Sequence, residues 1–231
     1  MDKTDCWLCQ GHTDQVYSMA WSGCGRFLAT VCRDGKLRIF CPRQSSRPLR
    51  EDGDIVAKKG ARVVWACEGR YLVTTGFSRQ SERQIMVWQS KDLSCVHTET
   101  LDVSPAILIP FYDEDSSTLF VSGKGETSIY GYEIAEDAPH MFRLSQHNTS
   151  APTQGLAFIA HTLNVREAEF ARCYQLTNTG ITPISWTVPG DQDDQQQHRR
   201  EEAGAEDEDV NTGMFRLNVN VVPISSNFSF G

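Results

Sequence analysis

Short apolar runs separated by polar turns recur along the chain. In the stretch that begins at Gly11, GHTDQVYSMAWSGCGRFLATVCRDGKLRIF, two apolar runs are followed by an Asp-Gly turn and a third apolar run. Runs of about four to eight residues rich in β-branched and aromatic side chains, bounded by Gly, Asp and Ser, predict β-strands. Helical periodicity is weak throughout. The pattern therefore predicts an all-β protein.

The same order of strands and turns is found three more times, in segments that begin at Ala61, Ala106 and Gly155. Aromatic residues mark equivalent positions near the ends of the strands: Trp21, Trp65 and Phe111 in the first strands, and Phe40, Trp88, Tyr132 and Trp186 in the third strands. They recur at roughly 45-residue intervals, the period of a four-stranded WD-type propeller blade. We therefore expect a β-propeller of WD-repeat type with about four blades.

This repeat divides the chain into an expected series of segments. Residues 1–10 lead in, the propeller spans 11–189, an acidic linker spans 190–213, and a tail spans 214–231. The four blades are expected at about 11–52, 61–102, 106–147 and 155–189. In the tail, apolar residues alternate with polar ones from Phe215, which predicts a short strand. That strand either pairs with the exposed edge of the last blade or is disordered.

Charge is unevenly placed along the chain. The net charge is -8, and residues 191–209 hold nine acidic and two basic side chains, which predicts a disordered linker. Residues 26–62 lean the other way, with ten Lys/Arg against four Asp/Glu. The candidate partner-binding residues in this basic stretch are Arg43, Arg47, Arg50, Lys58 and Lys59. They either meet an acidic partner or form a solvated rim. The acidic balance disfavours nucleic-acid binding.

The first unit carries the residues that lock a WD blade. A full WD repeat joins a His, a Ser or Thr, an Asp and a Trp indole in one hydrogen-bonded chain, and the residues here are His12, Thr30, Asp34 and Phe40. Because Phe40 has no hydrogen-bond donor, that chain cannot close fully. We expect His12 to pair with Asp34. A hydrolytic triad of His12, Asp34 and a nearby Ser is the alternative, and the blade context disfavours it.

Catalytic, cofactor and metal sites are not indicated by the sequence. Cys6 and Cys9 form a C-x-x-C, but only His12 follows at ligand spacing, so we expect no zinc. The segment GKGET from Gly123 lacks the spacing of a phosphate-binding loop. The eight cysteines are expected to be reduced thiols. We expect no cofactor and no enzymatic activity.

Membrane insertion is not indicated either. The chain contains no run of about eighteen apolar residues, and its first residues, MDKTDCWLCQ, lack a basic leader followed by an apolar stretch. We therefore expect a soluble, intracellular protein with no transmembrane segment.

Several longer motifs resemble the coronin family. They are GHTDQVYSMAW, LATVCRDGKLRIF followed by CPR, LVTTGFSRQSERQIMVW, FVSGKGETSIYGYEI and REAEFARCYQLTNTGITPISWTVP. The resemblance covers about residues 11–189 and is most similar to the C-terminal half of the second propeller in the long, tandem-propeller members. It implies a partial seven-bladed propeller, because only the last four blades of the matched unit are present. A self-contained four-bladed ring is the alternative.

The resemblance also implies a function. Coronins of this kind bind actin filaments, and the long form is associated with the cytosol, the cytoskeleton, Golgi membranes and vesicle traffic. The leading interpretation is therefore a non-enzymatic module for actin binding and protein transport, with peripheral membrane association. The family's actin-binding residues on the opening blade have no counterpart here and are not transferred. The alternative is a generic WD-repeat scaffold that binds other proteins without actin contact.

Overall fold

The computed structural model describes residues 8–55, 59–144, 146–159, 163–164, 166, 168–188 and 218–221. The strands of these residues form four antiparallel sheets, which we call blades 1 to 4. Blade 1 contains β1 (Val16–Trp21), β2 (Leu28–Cys32), β3 (Leu37–Phe40) and β4 (Arg50–Asp52). Blade 2 contains β5 (Arg62–Ala66), β6 (Tyr71–Phe77), β7 (Arg83–Gln89) and β8 (Cys95–Thr100), with a 3-10 turn at Cys67–Gly69.

The other two blades follow the same order. Blade 3 contains β9 (Leu108–Asp113), β10 (Thr118–Gly123), β11 (Ser128–Ile134), β12 (Met141–Arg143) and β13 (His147–Asn148). Its outer strand is in two pieces, since β12 and β13 both pair with β11. Blade 4 contains β14 (Gly155–Ile159), β15 (Glu169–Leu176), β16 (Ile181–Thr187) and β17 (Asn218–Val221). The prediction of an all-β, partial propeller with about four blades is confirmed.

The outer strand of blade 4 comes from the tail. Residues 218–221 pair antiparallel with β16, and Val219 lies opposite Trp186 in the register. An edge strand such as β16 offers a free row of backbone donors and acceptors, and β17 satisfies part of it. Residues 218–221 therefore form the paired strand, which was one of the two alternatives expected for the tail. The acidic linker expected at 190–213 lies outside the described residues.

Neighbouring blades pack face to face, and blades 2 and 3 do so through both faces of their sheets. The apolar cores lie between blades 1 and 2, between 2 and 3, and between 3 and 4. In blade 2, Leu72 contributes to the first core and Val73 to the second, because adjacent residues of a strand point to opposite faces. This explains why the middle strands read as continuous apolar runs, as strands buried on both faces do. Every residue of β2, β6 and β10 is buried.

The register corrects one equivalence drawn from the sequence. Trp21 and Trp65 lie opposite Leu28 and Leu72. In blade 3 the equivalent residue is Tyr112, which lies opposite Leu119, whereas Phe111 lies one position away. Phe111 therefore points to the other face of the sheet, where it stacks on Phe158 of blade 4 with a centroid distance of 4.1 Å. Spacing alone could not choose between two adjacent aromatics.

No helix among the described residues is long and apolar enough to cross a membrane. Seven cysteines are described and all are free thiols. Cys6 lies outside the described residues. In the part of the chain that the structure describes, no group of three His, Cys, Asp or Glu side chains could hold a metal ion.

Candidate functional site: blade locks and the basic ends of blade 1

In blade 2 the lock is a single hydrogen bond between two strands. The indole Nε1 of Trp88 donates to Thr74 Oγ1 at 2.8 Å, and both residues are buried. Thr74 lies on β6, two residues after the position opposite Trp88. The adjacent strand therefore satisfies the only donor of the indole, which would otherwise be stranded in the core.

Blade 1 makes the equivalent hydrogen bond to its threonine with a different side chain. Phe40 occupies the position of Trp88, and Thr30 occupies that of Thr74. His12 fills the gap left by the missing indole N–H, because its Nε2 lies 2.9 Å from Thr30 Oγ1. Its ring packs against Phe40 with a centroid distance of 5.3 Å. The structure therefore brings together three of the four predicted lock residues.

Our expectation that His12 pairs with Asp34 is wrong in this detail. Among the described residues, no hydrogen bond joins these two side chains. Asp34 instead accepts two bonds from Arg38, at 3.0 and 2.7 Å, and further bonds from Thr13 and the backbone of Lys36. The physical reason is the geometry of the guanidinium, whose two parallel N–H groups match both carboxylate oxygens.

The electrostatics of Asp34 follow from these contacts. Burial raises the pKa of its carboxyl, but the hydrogen bonds from Arg38, Lys36 and Thr13 outweigh burial and leave that pKa well below its usual value. Arg38 is itself buried and has a second partner, Glu51, at 2.8 Å. Asp34 is therefore an ionised structural group tied to β3. It is not oriented to assist His12 as a catalytic base, which argues against the hydrolytic triad.

A second buried arginine joins two blades. Arg83, at the start of β7 in blade 2, is 1% exposed. It makes two bonds of 2.6 Å to Asp102, and its NH1 lies 2.8 Å from both carboxylate oxygens of Glu126. Glu126 lies in the turn between β10 and β11 of blade 3, where Ser104 also donates to it. This network fixes the turn of blade 3 against the edge of blade 2.

The electrostatics of this network favour the ionised pair. Burial lowers the pKa of Arg83, but its hydrogen bonds to Asp102 and Glu126 outweigh burial and leave that pKa raised. The Arg83 guanidinium in turn holds the pKa of Asp102 below its usual value. A buried guanidinium with four close carboxylate oxygens is fully compensated, which is the condition under which a buried charge is tolerated.

The locks of blades 3 and 4 are incomplete. Val121 and Cys173 occupy the positions of Thr30 and Thr74, so neither offers a hydroxyl. In blade 3 the buried hydroxyl of Tyr132 has no hydrogen-bond partner among the described residues. His147, on β13 of blade 3, lies in a T-shaped contact with Trp186 of blade 4 at a centroid distance of 6.4 Å, and its buried Nε2 is also without a partner in the described part of the chain.

The candidate basic residues do not form one surface, because they lie at opposite ends of blade 1. Arg43 and Arg47 are exposed in the loop between β3 and β4, which we call the loop end. Arg50 begins β4 and donates through Nε to the backbone carbonyl of Lys91 at 2.6 Å, so it tethers blade 1 to blade 2. Lys59 follows β4, and because β4 runs antiparallel to β3 it lies at the opposite end, beside the Asp34-Gly35 turn. Lys58 lies outside the described residues.

At this opposite end, which we call the turn end, a pocket of about 460 Å³ opens between blades 1 and 2. Lys59 lies there with its Nζ 5.4 Å from the centre of the Phe77 ring, a cation–π contact. The other two cations of the pocket have carboxylate neighbours: Arg79 pairs with Asp54 at 2.9 Å, and Arg33 lies 4.0 Å from Asp14. By contrast, Arg43 and Arg47 have no ion-pair partner among the described residues.

Comparison with known proteins relates these blades to one family. Residues 4–41 match the family described as WD domain, G-beta repeat. Over 183 residues the chain is 41% identical to coronin-7 of Bos taurus and 38% identical to coronin-7 of Homo sapiens. Over most of its length, this chain is therefore similar to the coronins. The alignments cover 78% of this chain and 20% of each relative, so the chain spans about a fifth of their length.

Solved structures agree with the coronin relationship. The WD40 domain of Toxoplasma gondii coronin matches with a TM-score of 0.68 and 26% identity, over 79% of this chain and 48% of that chain. A match to nearly half of a coronin WD40 domain fits the count of four blades. A chain of the mitotic checkpoint complex matches with a TM-score of 0.55 at 17% identity and supports the fold alone.

The two buried arginines, Arg38 and Arg83, were not predicted from the sequence. Arg38 follows Asp34 by four residues, and the turn between β2 and β3 brings them together, so this pair had a local signature. Arg83 had none, since its acidic partners are 19 and 43 residues away. Only the packing of blade 2 on blade 3 reveals that contact.

Proposed function

We propose that this chain is a non-enzymatic, coronin-type interaction module that binds actin filaments through the loop end of blade 1. We further propose that it acts in the cytoplasm, in cytoskeletal organisation and in Golgi and vesicle traffic, with peripheral membrane association. The observation that carries this proposal is the pair of exposed guanidinium groups of Arg43 and Arg47, which have no ion-pair partner among the described residues, on a blade similar to those of coronins. Propellers present rigid loops as binding platforms, and both arginines lie on such a loop.

Charge complementarity supplies the physical reason for the choice of partner. An actin filament is an acidic surface, and arginine binds carboxylates with two parallel hydrogen bonds. Both side chains are free to do so, because neither is engaged by an acid in the described part of the chain. Exposed charge pairs act mainly on the rate and specificity of association and weaken as salt screens them. The binding is therefore expected to be weak and salt-sensitive.

Co-sedimentation with actin filaments tests this proposal. We expect the chain to pellet with filaments at low ionic strength, and pelleting to decrease toward about 0.15 M salt, where the Debye length is about 8 Å. The Arg43→Glu, Arg47→Glu double variant should lose binding. The matched control is Lys59→Glu, Arg79→Glu at the turn end, which makes the same charge change and should retain binding.

The acidic linker provides a second arm of the same experiment. Residues 191–209 carry a strong excess of negative charge and would compete with an acidic filament for the basic loop end. Deleting these residues should strengthen pelleting. If neither the full chain nor the deletion variant pellets at low salt, the actin proposal is wrong. The second candidate, a WD-repeat scaffold that binds other proteins, would then take its place, and the WD-type fold is what favours it.

The domain organisation belongs to the same proposal. We propose that the blades at about 11–189 form one binding unit equivalent to the C-terminal half of the second propeller of the long coronins. The lead-in at 1–10, the linker at 190–213 and the tail at 214–231 then serve as connecting and edge-covering segments. The lock residues are proposed to be structural, because their hydrogen bonds lie within a single blade.

A further inference from the structure

The pocket at the turn end has a basic rim and an apolar lining, and the proposed function does not use it. Its walls come from the β2–β3 turn, the residues that follow β4, and the β6–β7 turn. Ile55 and Phe77, both buried, supply the apolar lining. Three exposed cations surround it: Arg33, Lys59 and Arg79. At about 460 Å³ the pocket has the size of a typical ligand site.

Hydrogen bonds hold the walls of this pocket in place. The backbone N–H of Ile55 donates to the carbonyl of Gly35 at 3.0 Å, which joins the segment after β4 to the β2–β3 turn. In the β6–β7 turn, the hydroxyl of Ser78 accepts bonds from the backbone N–H groups of Gln80 and Glu82, at 3.1 and 3.2 Å. The turns that carry the cations are therefore preformed, and a ligand does not have to order them.

The carboxylates beside the pocket leave its cations available to a ligand. Asp34 lines the pocket, but the buried guanidinium of Arg38 already bonds to both of its oxygens. Asp54 pairs with Arg79, and because these side chains are 85% and 76% exposed, the ion pair is weak and open to exchange. Lys59 has no carboxylate partner among the described residues, and its ammonium lies over an aromatic ring.

A phosphate group fits these cations better than a carboxylate does. A carboxylate that displaced Asp54 from Arg79 would replace one single negative charge by another. A phosphorylated side chain carries about 1.5 to 2 negative charges and three acceptor oxygens, so the exchange gains charge and hydrogen bonds. Arginine binds phosphate through two parallel hydrogen bonds, and Lys59 adds a point charge. The chemistry of the pocket therefore favours a phosphorylated group.

A second pocket at the same end of the blades indicates that the phosphate belongs to a peptide. This pocket of about 210 Å³ lies between blades 3 and 4, beside the β10–β11 turn and the start of β14. Its apolar lining residues include Ile109, Pro110, Phe111 and Phe158. Neighbouring sheets pack about 10 Å apart, so the two pockets are about 20 Å apart, a span of about six extended residues. A free phosphate cannot fill both pockets, whereas an extended peptide can.

We propose that the turn end binds an extended peptide that carries a phosphorylated residue. The phosphate lies in the pocket between blades 1 and 2, where the three cations bind it. An apolar side chain about six residues away lies in the pocket between blades 3 and 4. This site does not depend on the proposed actin contact, because the loop end lies at the opposite end of blade 1. One chain thus has separate surfaces for a filament and for a phosphorylated protein.

Peptide arrays test this proposal. The full 231-residue chain is applied to degenerate peptides that each contain one fixed phosphoserine, phosphothreonine or phosphotyrosine. The same arrays after phosphatase treatment are the reference. We expect retention on phosphorylated arrays only, with a preference for an apolar residue at about six positions from the phosphate. Fluorescence anisotropy of a selected phosphopeptide then gives the Kd, and inorganic phosphate should compete with the peptide.

Paired variants assign the binding to the pocket. Lys59→Ala combined with Arg79→Ala should weaken the Kd by about tenfold or more, because charge-assisted hydrogen bonds to the phosphate are lost. The matched control is Arg43→Ala combined with Arg47→Ala, which removes the same charge at the loop end and should leave the Kd unchanged. Ile109→Glu should abolish the preference for a distant apolar residue. Circular dichroism of each variant should retain the β-sheet spectrum.

Three results would overturn the proposal. The first is that no phosphorylated array retains the chain better than its phosphatase-treated reference. The second is that the variant without Lys59 and Arg79 binds the selected peptide as tightly as the unaltered chain does. The third is that the chain binds vesicles containing phosphoinositides but none of the peptides, which would assign the pocket to a lipid headgroup. Actin co-sedimentation of the same variants keeps this proposal separate from the proposed function.

Discussion

At the scale of the residue, the blades depend on single hydrogen bonds between strands. Blade 2 uses the indole of Trp88 and the hydroxyl of Thr74, whereas blade 1 uses His12 and Thr30 beside a phenylalanine. The same position is Cys173 in blade 4 and Val121 in blade 3, and in blade 3 the buried hydroxyl of Tyr132 is left without a partner among the described residues. All four blades thus have the strands of the repeat, but only blades 1 and 2 have a hydroxyl at this lock position.

Removing the hydroxyl of Thr74 should destabilise the protein. Thr74→Val keeps the shape of the side chain but strands the buried N–H of Trp88, at a cost of about 1 to 3 kcal/mol in the free energy of unfolding. Urea denaturation measures this cost. The matched control is Thr98→Val, which makes the same change at an exposed position on β8 of the same blade. The double variant with Trp88→Phe should cost less than the sum of the two single variants, and strict additivity would contradict the account.

The half-buried histidines, His12 and His147, should make the protein less stable in mild acid. Burial lowers the pKa of His147 below its usual 6.5, and burial and then the charge of Arg38 do the same for His12. A lowered pKa means that the unfolded chain binds more protons than the folded chain below pH about 6.5, so the free energy of unfolding falls as pH falls. The carboxyl groups of Asp34 and Asp102 also have lowered pKa values. They reduce the free energy of unfolding only when the pH falls below their usual pKa of 3.8.

This pH dependence can be assigned to one residue. In His147→Gln, the free energy of unfolding should fall less between about pH 7 and pH 5 than in the unaltered protein, because one titrating group is gone. Urea denaturation at a series of pH values measures the difference. An unchanged slope would show that protonation of His147 is not coupled to unfolding.

At the scale of the element, Arg83 couples blade 2 to blade 3. Its side chain is 2% exposed, and those of Asp102 and Glu126 are 41% and 20% exposed. Arg83→Met would leave both carboxylates without their counter-charge, and because they are partly solvated we expect a loss of about 3 kcal/mol, the lower end for breaking a buried pair. Arg79→Met is the matched control, since its pair with Asp54 is exposed and should contribute less than about 1 kcal/mol.

The neutral triple variant distinguishes charge from packing. Arg83→Met combined with Asp102→Asn and Glu126→Gln removes the stranded charges, so it should recover part of the lost stability. Thermal or urea denaturation of the single and triple variants measures this recovery. A triple variant less stable than Arg83→Met would contradict the electrostatic explanation.

The strands were predictable from the sequence because they depend on local pattern, and the contacts between them were not. The apolar runs at LATVC and YLVTTGF predicted β2 and β6, and the interval between aromatics predicted the number of blades. Spacing could not choose Tyr112 over Phe111, since one residue of register decides which face a side chain occupies. The basic stretch looked like one surface, but the reversal of the chain at β4 places Lys59 at the opposite end from Arg43.

At the scale of the whole molecule, stability should be shared among all four blades. Each apolar core belongs to two neighbouring blades, so a blade that unfolds exposes the faces of its neighbours. Among the described residues, one face of blade 1 and one face of blade 4 contribute to none of these three cores.

Amide hydrogen exchange of the 231-residue chain tests most directly whether it folds as four coupled blades. The account predicts slow exchange, with similar free energies of opening, for the middle strands β2, β3, β6, β7, β10, β11, β15 and β16. It also predicts protection of backbone amides in Asn218–Val221, where β17 pairs with β16. Exchange of these middle strands at the rates of an unfolded chain, in any one of the four blades, would contradict it.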